Sequence, residues 1–299
     1  MEIELSVRNL VKVAPVLFLL MWSSGAIFVK LGLENGSVWS FLALRACGAL
    51  LVITVASSVL LPREMRETLS VSKKHILKSM VAGLLLQVAY QSFFFLAIDH
   101  HLAPGTLAII LGLQPILTPI FAREVIGIRG YLSLAVGFAG LSLVVYGAKD
   151  VSAMSLGGVL FAFASVLAIT MGSVYQKHLN IHPIASAIYQ YTAASIVFLI
   201  IIAFQGWNVL WTAQFAFCVA WMVCVVSVGA VLLLFHMLSN EAASKVGVLF
   251  YLVPIFTMAF DYIVFGTVVT GFTVVGVLIV ISAILMFQRS QNRRGREIA

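Results

Sequence analysis

Apolar runs recur from one end of the chain to the other, each bounded by turn residues or clustered charge. Each is long enough to cross ~30 Å of hydrocarbon at ~1.5 Å of helix per residue. Ten are read, over residues 13–31, 37–61, 76–98, 103–124, 130–148, 156–176, 183–204, 215–238, 242–265 and 269–287. The pattern predicts an all-α polytopic membrane protein with ten transmembrane helices and leaves no stretch for a soluble domain. Lys12 to Val29, a basic start followed by an apolar run, has the outline of a signal peptide. The run is long for such a segment, carries Trp22 and ends at Lys30 without a small-x-small cleavage site, so it reads as the first span.

The pattern repeats. Residues 103–127 and 242–266 align without a gap at an offset of 139, which pairs Leu113 with Leu252, Pro115 with Pro254, Thr118 with Thr257 and Gly127 with Gly266. The first and sixth spans align at an offset of 147, with Gly25 on Gly172 and Lys30 on Lys177. Five spans per half is an odd number, so the second copy is expected upside down relative to the first. The halves are expected at 1–148 and 149–299, the second ending in a basic cytoplasmic tail.

Composition sharpens this. With 62% hydrophobic and 10% charged residues, an ordinary soluble domain is excluded. The formal charge of +7 comes from short loops and tails beside the spans, so it reports topology and not nucleic-acid binding. With the N-terminus placed inside, fifteen of the eighteen Lys and Arg fall on the inner side. Lys30 and Lys149 fall outside and Arg45 lies within a span, which predicts both termini in the cytoplasm. Cys47, Cys218 and Cys224 all fall inside spans and carry no redox information. Trp207 and Trp211, in an outer loop, are expected as interface anchors.

Candidate chemistry lies where polar groups interrupt the apolar spans. Gln87, Tyr90, Gln91 and Phe94 share one helical face, so two amides and two rings form the best candidate ligand surface, or else an interhelical hydrogen-bond seam. Trp22 is expected as a pocket wall, beside the small residues Ser23, Ser24 and Gly25 that allow close helix approach. Gln114 precedes Pro115, and Pro115 and Pro254 are expected to kink their spans as hinges. Arg45 is costly at its depth and needs a partner; Asp261, one turn from the outer end of its span, is expected to pair with Arg45 or Lys30 as an outer gate, a proton site or a static pair. Arg123-Glu124 is expected as an interface pair, and Glu124 or His236 is a further candidate proton carrier. Asp99-His100-His101 lacks a third well-spaced ligand and reads as an exposed loop, so no metal site is expected.

These residues resemble the EamA branch of the drug/metabolite transporter superfamily over nearly the whole chain. The marks are Trp22 to Gly25 followed by Phe28 and Lys30, Arg45 in the second span, Pro115, and the Leu252-Val253-Pro254 run. Members often carry a glutamate after the glycine that ends the fourth and ninth spans; Ile128 and Thr267 stand there in this chain, so no role for that carboxylate carries over. The resemblance implies a bacterial inner-membrane carrier that exports or exchanges small metabolites such as amino acids and their analogues, or drugs.

The expected function is therefore a secondary transporter working by alternating access. Its central cavity is lined by the third, fourth, eighth and ninth spans with help from the first, and Trp22, Ser24, Gln87, Tyr90, Gln91, Gln114 and Tyr251 contact the substrate. A neutral, zwitterionic or aromatic solute is favoured, because no buried acidic cluster awaits a divalent cation. Import or exchange of a nucleoside-like cofactor or quaternary amine, and multidrug efflux, are the alternatives. No GxxxxGK[ST] loop is present, so transport is expected to be passive or ion-coupled. No nucleophile with a base and no HExxH set appears, so neither an enzyme nor a cofactor is expected. The expected partners are the lipid bilayer and a small-molecule substrate; proton coupling and oligomeric state stay open.

Overall fold

The structure is a computed structural model. It describes the backbone of residues 2–100, 102, 107, 110–147, 155–265 and 270–298; the side chains of 2–12, 67, 69, 145, 147, 261, 264–265 and 292–298 lie outside this description. Its helices are α1 (Glu2–Leu33), α2 (Val38–Leu60), α3 (Pro62–Leu69), α4 (Lys73–Asp99), α5 (Gln114–Phe121), α6 (Gly127–Gly147), α7 (Leu156–Lys177), α8 (Pro183–Gln205), α9 (Ala213–Asn240), α10 (Ala243–Gly247), α11 (Val253–Phe265) and α12 (Gly271–Ile298). Among the described residues nine helical segments are long and apolar enough to cross a membrane. They match nine of the ten expected spans; the remaining one, 103–124, includes residues outside the description, and its described portion centres on α5. Pro104, Lys149, Thr267 and the Asp261 side chain also lie outside it.

Two compact units partition the chain, one formed by residues 1–92 with 175–241 and the other by 93–174 with 242–299. Each draws on both sequence halves, and the chain passes from one unit to the other within α4 and within α7. In the first unit α8 packs on α2 and α4, and α1 and α2 pack on the middle of α9. In the second, α6 packs along α12 and α10 packs on α5.

The first unit shows how a membrane chain sorts its residues. α2 buries Phe41, Arg45, Ala49, Ile53 and Ser57 at a spacing of four, and exposes Leu51, Val55 and Val59. Its protein-facing side thus carries the buried polar groups, while its exposed side is mainly apolar and the exposed Ser58 donates back to the Thr54 carbonyl at 2.8 Å. Ser37 caps the helix by accepting from the Ser40 amide at 3.3 Å, and Thr212 caps α9 by accepting from the Phe215 amide at 3.1 Å. The two preceding loops are tied together by Ser37 N–H donating to the Asn208 carbonyl at 3.0 Å and Leu210 N–H to the Asn35 carbonyl at 2.7 Å.

Two features differ from the sequence expectation. First, the prolines do not kink continuous helices. The chain leaves the α-helical path at Gly112-Leu113 and, in 3-10 geometry, at Val248–Tyr251, and a new helix starts at Gln114 and at Val253. Pro115 and Pro254 therefore stand in first turns, where a missing N–H costs no helical hydrogen bond. Second, α4 and α9 each contain a π-helical stretch, Leu84–Ala89 and Met222–Ala230. In α4 the Tyr90 amide donates to the Leu85 carbonyl, five residues back. These widened turns fall in the third span of each sequence half and rotate the residues that follow them relative to a regular helix.

In the second unit Tyr251 is fully buried within a cluster that includes Leu134, Leu141, Val280 and Phe287, and its hydroxyl donates to the Leu134 carbonyl at 2.7 Å. Gly137 faces the Tyr251 ring and Gly140 faces Ile279, so the glycines of the fifth span permit close packing. Glu124 is not part of an ion pair with Arg123 among the described contacts. Its carboxylate accepts from the amides of Ala243 at 2.9 Å and Ser244 at 3.2 Å, capping the chain where it enters the ninth span.

Candidate functional site

The first unit brings the polar interruptions of four helices together. At the centre is Arg45 of α2, which is 4% exposed. Its Nε donates to Ser227 Oγ of α9 at 2.6 Å, and its Nη1 donates to Gln91 Oε1 of α4 at 2.6 Å. Both acceptors adjoin distortions: Ser227 sits inside the π stretch of α9 and Gln91 is the second residue after that of α4. Tyr191 of α8 donates its hydroxyl to the Ser227 carbonyl at 2.6 Å. Tyr90 and Tyr191 both lie close enough to Arg45 to interact with it electrostatically. The guanidinium thus ties α2, α4 and α9 together through neutral acceptors, with α8 joined through Tyr191.

An aromatic wall adjoins this centre. Trp22 of α1 is half-buried and stacks on Tyr90, with ring centroids 6.3 Å apart and planes 13° from parallel. Phe18, one turn earlier, leans on Trp22 at 5.3 Å. Ser24 donates to the Met21 carbonyl at 2.7 Å and accepts from Trp221 Nε1 at 2.9 Å. Its hydroxyl is therefore engaged in holding a second indole, and Trp221 in turn packs on Phe28 at 4.9 Å. Gly25 would admit a methyl group at ordinary contact distance from Val226, whereas Gly48 and Gly83 are where helices approach closely.

Gln87, 5% exposed, lies within the π stretch of α4, and its side-chain amide has no hydrogen-bond partner among the described residues. The amide is not among the fully buried unpaired groups, so its donors and acceptor stay accessible to a polar solute or water. The sequence stripe of Gln87, Tyr90, Gln91 and Phe94 is split by the structure: Phe94 packs near the Leu102, Leu107 and Ile110 cluster of the second unit. Gln114, 2% exposed, also belongs to the second unit, and its side-chain amide lacks a partner among the described residues. Tyr251, expected as a substrate contact, has its ring and hydroxyl engaged in the core of that unit instead.

Of the expected charged set, Lys30 is exposed at the last turn of α1, and Arg45 has Ser227 and Gln91 as its described partners in place of a carboxylate. Asp261 belongs to α11, and its side chain is outside the described residues. His236 is half-buried near the end of α9. His100 Nδ1 lies 3.0 Å from the Leu96 carbonyl, and no group of three or more His, Cys, Asp or Glu converges among the described residues. The sequence reading missed Ser227, Tyr191 and Trp221. Ser227 is a lone serine in an apolar span, and only its contact with Arg45 from 182 positions away marks it.

Comparison with known proteins agrees with this architecture. The chain is 26% identical over 278 residues to an uncharacterized transporter, YvbV, of Bacillus subtilis (strain 168), covering 89% of this chain and 88% of that protein. It superposes on a protein crystal structure with a TM-score of 0.75 at 14% identity, covering 92% of this chain and 94% of the other; that likeness concerns the fold alone. The model of the EamA-like transporter family matches residues 156–288. Residues 156–288 therefore carry an EamA-like transporter domain, in a chain whose described residues include nine helical segments long and apolar enough to cross a membrane.

Proposed function

We propose that the protein is a secondary carrier of the bacterial inner membrane that exports or exchanges amino acids or related zwitterionic and aromatic metabolites by alternating access. The observation that carries the reading is the Trp22–Tyr90 stack beside the Gln87 amide, at a π distortion of α4. An aromatic face and a free amide in mid-membrane suit a small solute with an apolar body and polar ends. π stretches inside long helices are frequent at functional sites because they re-aim side chains at a cost in helix regularity.

The inverted-repeat reading has structural support of its own. The second span of one half packs on the second of the other, as α2 on α8, and the fifth packs on the fifth, as α6 on α12. The π stretches also occupy matching third spans. This is the pattern that a twofold relation between the halves would generate.

The test is exchange of radiolabelled L-amino acids by purified protein in proteoliposomes. Saturable exchange above protein-free liposomes is the expected result, and Gln87→Ala and Tyr90→Ala are each expected to lower it by roughly tenfold, the loss of a buried polar or ring contact. Unchanged exchange in both variants would remove the site. Absence of exchange for every amino acid would overturn the substrate class.

A further inference from the structure

A buried guanidinium offers five N–H donors, and Arg45 uses two of them on described partners. Both acceptors are neutral, and no carboxylate lies within ion-pair distance of it among the described residues. No described partner engages Nη2, whose N–H groups can join a neighbouring N–H of the planar guanidinium in a two-point contact with the oxygens of a carboxylate. A charge so deeply buried without a countercharge is strongly disfavoured unless an anion reaches it. Its surroundings are those expected of a binding subsite: Tyr90 adjoins Gln91 in α4, and Trp22 stacks on the Tyr90 ring.

We propose that Arg45 is the anion-binding subsite of the carrier. Its free edge takes the carboxylate of the cargo while the Trp22–Tyr90 face takes the apolar body. The cargo is then a carboxylate-bearing solute, anionic or zwitterionic, and an amine or amide of the same skeleton is a poor substitute. Ser227 and Gln91 hold the guanidinium in place from two helices that each carry a π stretch, so the subsite is positioned where both are distorted. This inference rests on the reading of the first unit as the solute site.

The experiment measures competition against radiolabelled L-phenylalanine exchange in proteoliposomes by unlabelled L-phenylalanine and by L-phenylalaninamide, which keeps the ring and the ammonium and lacks the carboxylate. For the native protein the acid is expected to compete roughly ten- to hundredfold better than the amide, the usual span for a charge-assisted hydrogen bond. Arg45→Gln is expected to abolish that preference. Because Arg45→Gln removes the tie between α2, α4 and α9 and can impair folding, Gln91→Glu serves as the second variant. It places an internal carboxylate on the same guanidinium, and is expected to raise the thermal midpoint of the detergent-solubilised protein while weakening the acid's advantage. An acid-to-amide preference that persists unchanged in a folded Arg45→Gln and in Gln91→Glu overturns the Arg45 assignment and leaves the solute site standing. No phenylalanine exchange by the native protein overturns both.

Discussion

Gly83→Ala is expected to destabilise the protein by about 1–3 kcal/mol, the usual cost of overpacking a filled interior. A Cβ at this position would meet the Cα of Gln190 at 2.7 Å and its carbonyl oxygen at 2.8 Å. Both are backbone atoms of α8, so no side-chain rotation relieves the clash and α4 must move away from α8. The intrinsic preference of helices for alanine over glycine, about 0.5–1 kcal/mol, offsets only part of this. The displacement would fall at the residue directly before the π stretch that carries Gln87, so exchange activity is expected to fall along with the thermal midpoint in detergent. An unchanged midpoint would show that the two helices are not in the contact described.

Gly276→Ala is the equivalent test in the second unit, with an expected cost again of about 1–3 kcal/mol. Its Cβ would lie 2.7 Å from the Gly140 carbonyl oxygen and 2.7 Å from the Val144 amide nitrogen, both backbone atoms of α6. Gly140 across the interface is itself confined by Val280 of α12, so neither helix has room to yield. Gly271→Ala, at the open start of α12 with nothing within 4 Å, is the control and should leave the midpoint unchanged. Equal midpoints for Gly276→Ala and Gly271→Ala would contradict the close pairing of α6 with α12.

Much of this architecture was legible from residue pattern. Span positions follow from hydropathy because lipid forces each crossing to be apolar and to pair its backbone internally. The depth and burial of Arg45 were likewise readable, since a cation in such a run has to face protein. Its partners were not. A carboxylate was the natural expectation, but the described acceptors are Gln91 and Ser227, and a serine in MVCVVSVGA carries no signal at the level of sequence.

The π stretches were invisible for a similar reason. No proline or glycine pair announces the one in α4, whose residues are ordinary for an apolar helix, and the stripe of Gln87 with Tyr90 and Gln91 was read at regular helical spacing. Proline drew attention to Pro115 and Pro254, yet its chemistry has two outcomes, a kink within a helix or the first turn of a new one. Only the backbone at Gly112-Leu113 and at Val248–Tyr251 distinguishes them. Tyr251 was placed in the site by type and depth, whereas tertiary packing against Gly137 and Leu134 decided its role.

The central claim is that the solute site of the first unit opens in turn to each face of the membrane. Gln87→Cys, in a chain whose Cys47, Cys218 and Cys224 are replaced by alanine, can be challenged with a membrane-impermeant maleimide in right-side-out and in inside-out vesicles. The account predicts labelling from both faces, slowed in each case by a saturating transported amino acid. Labelling from one face alone, or labelling that such an amino acid leaves unchanged, would contradict it.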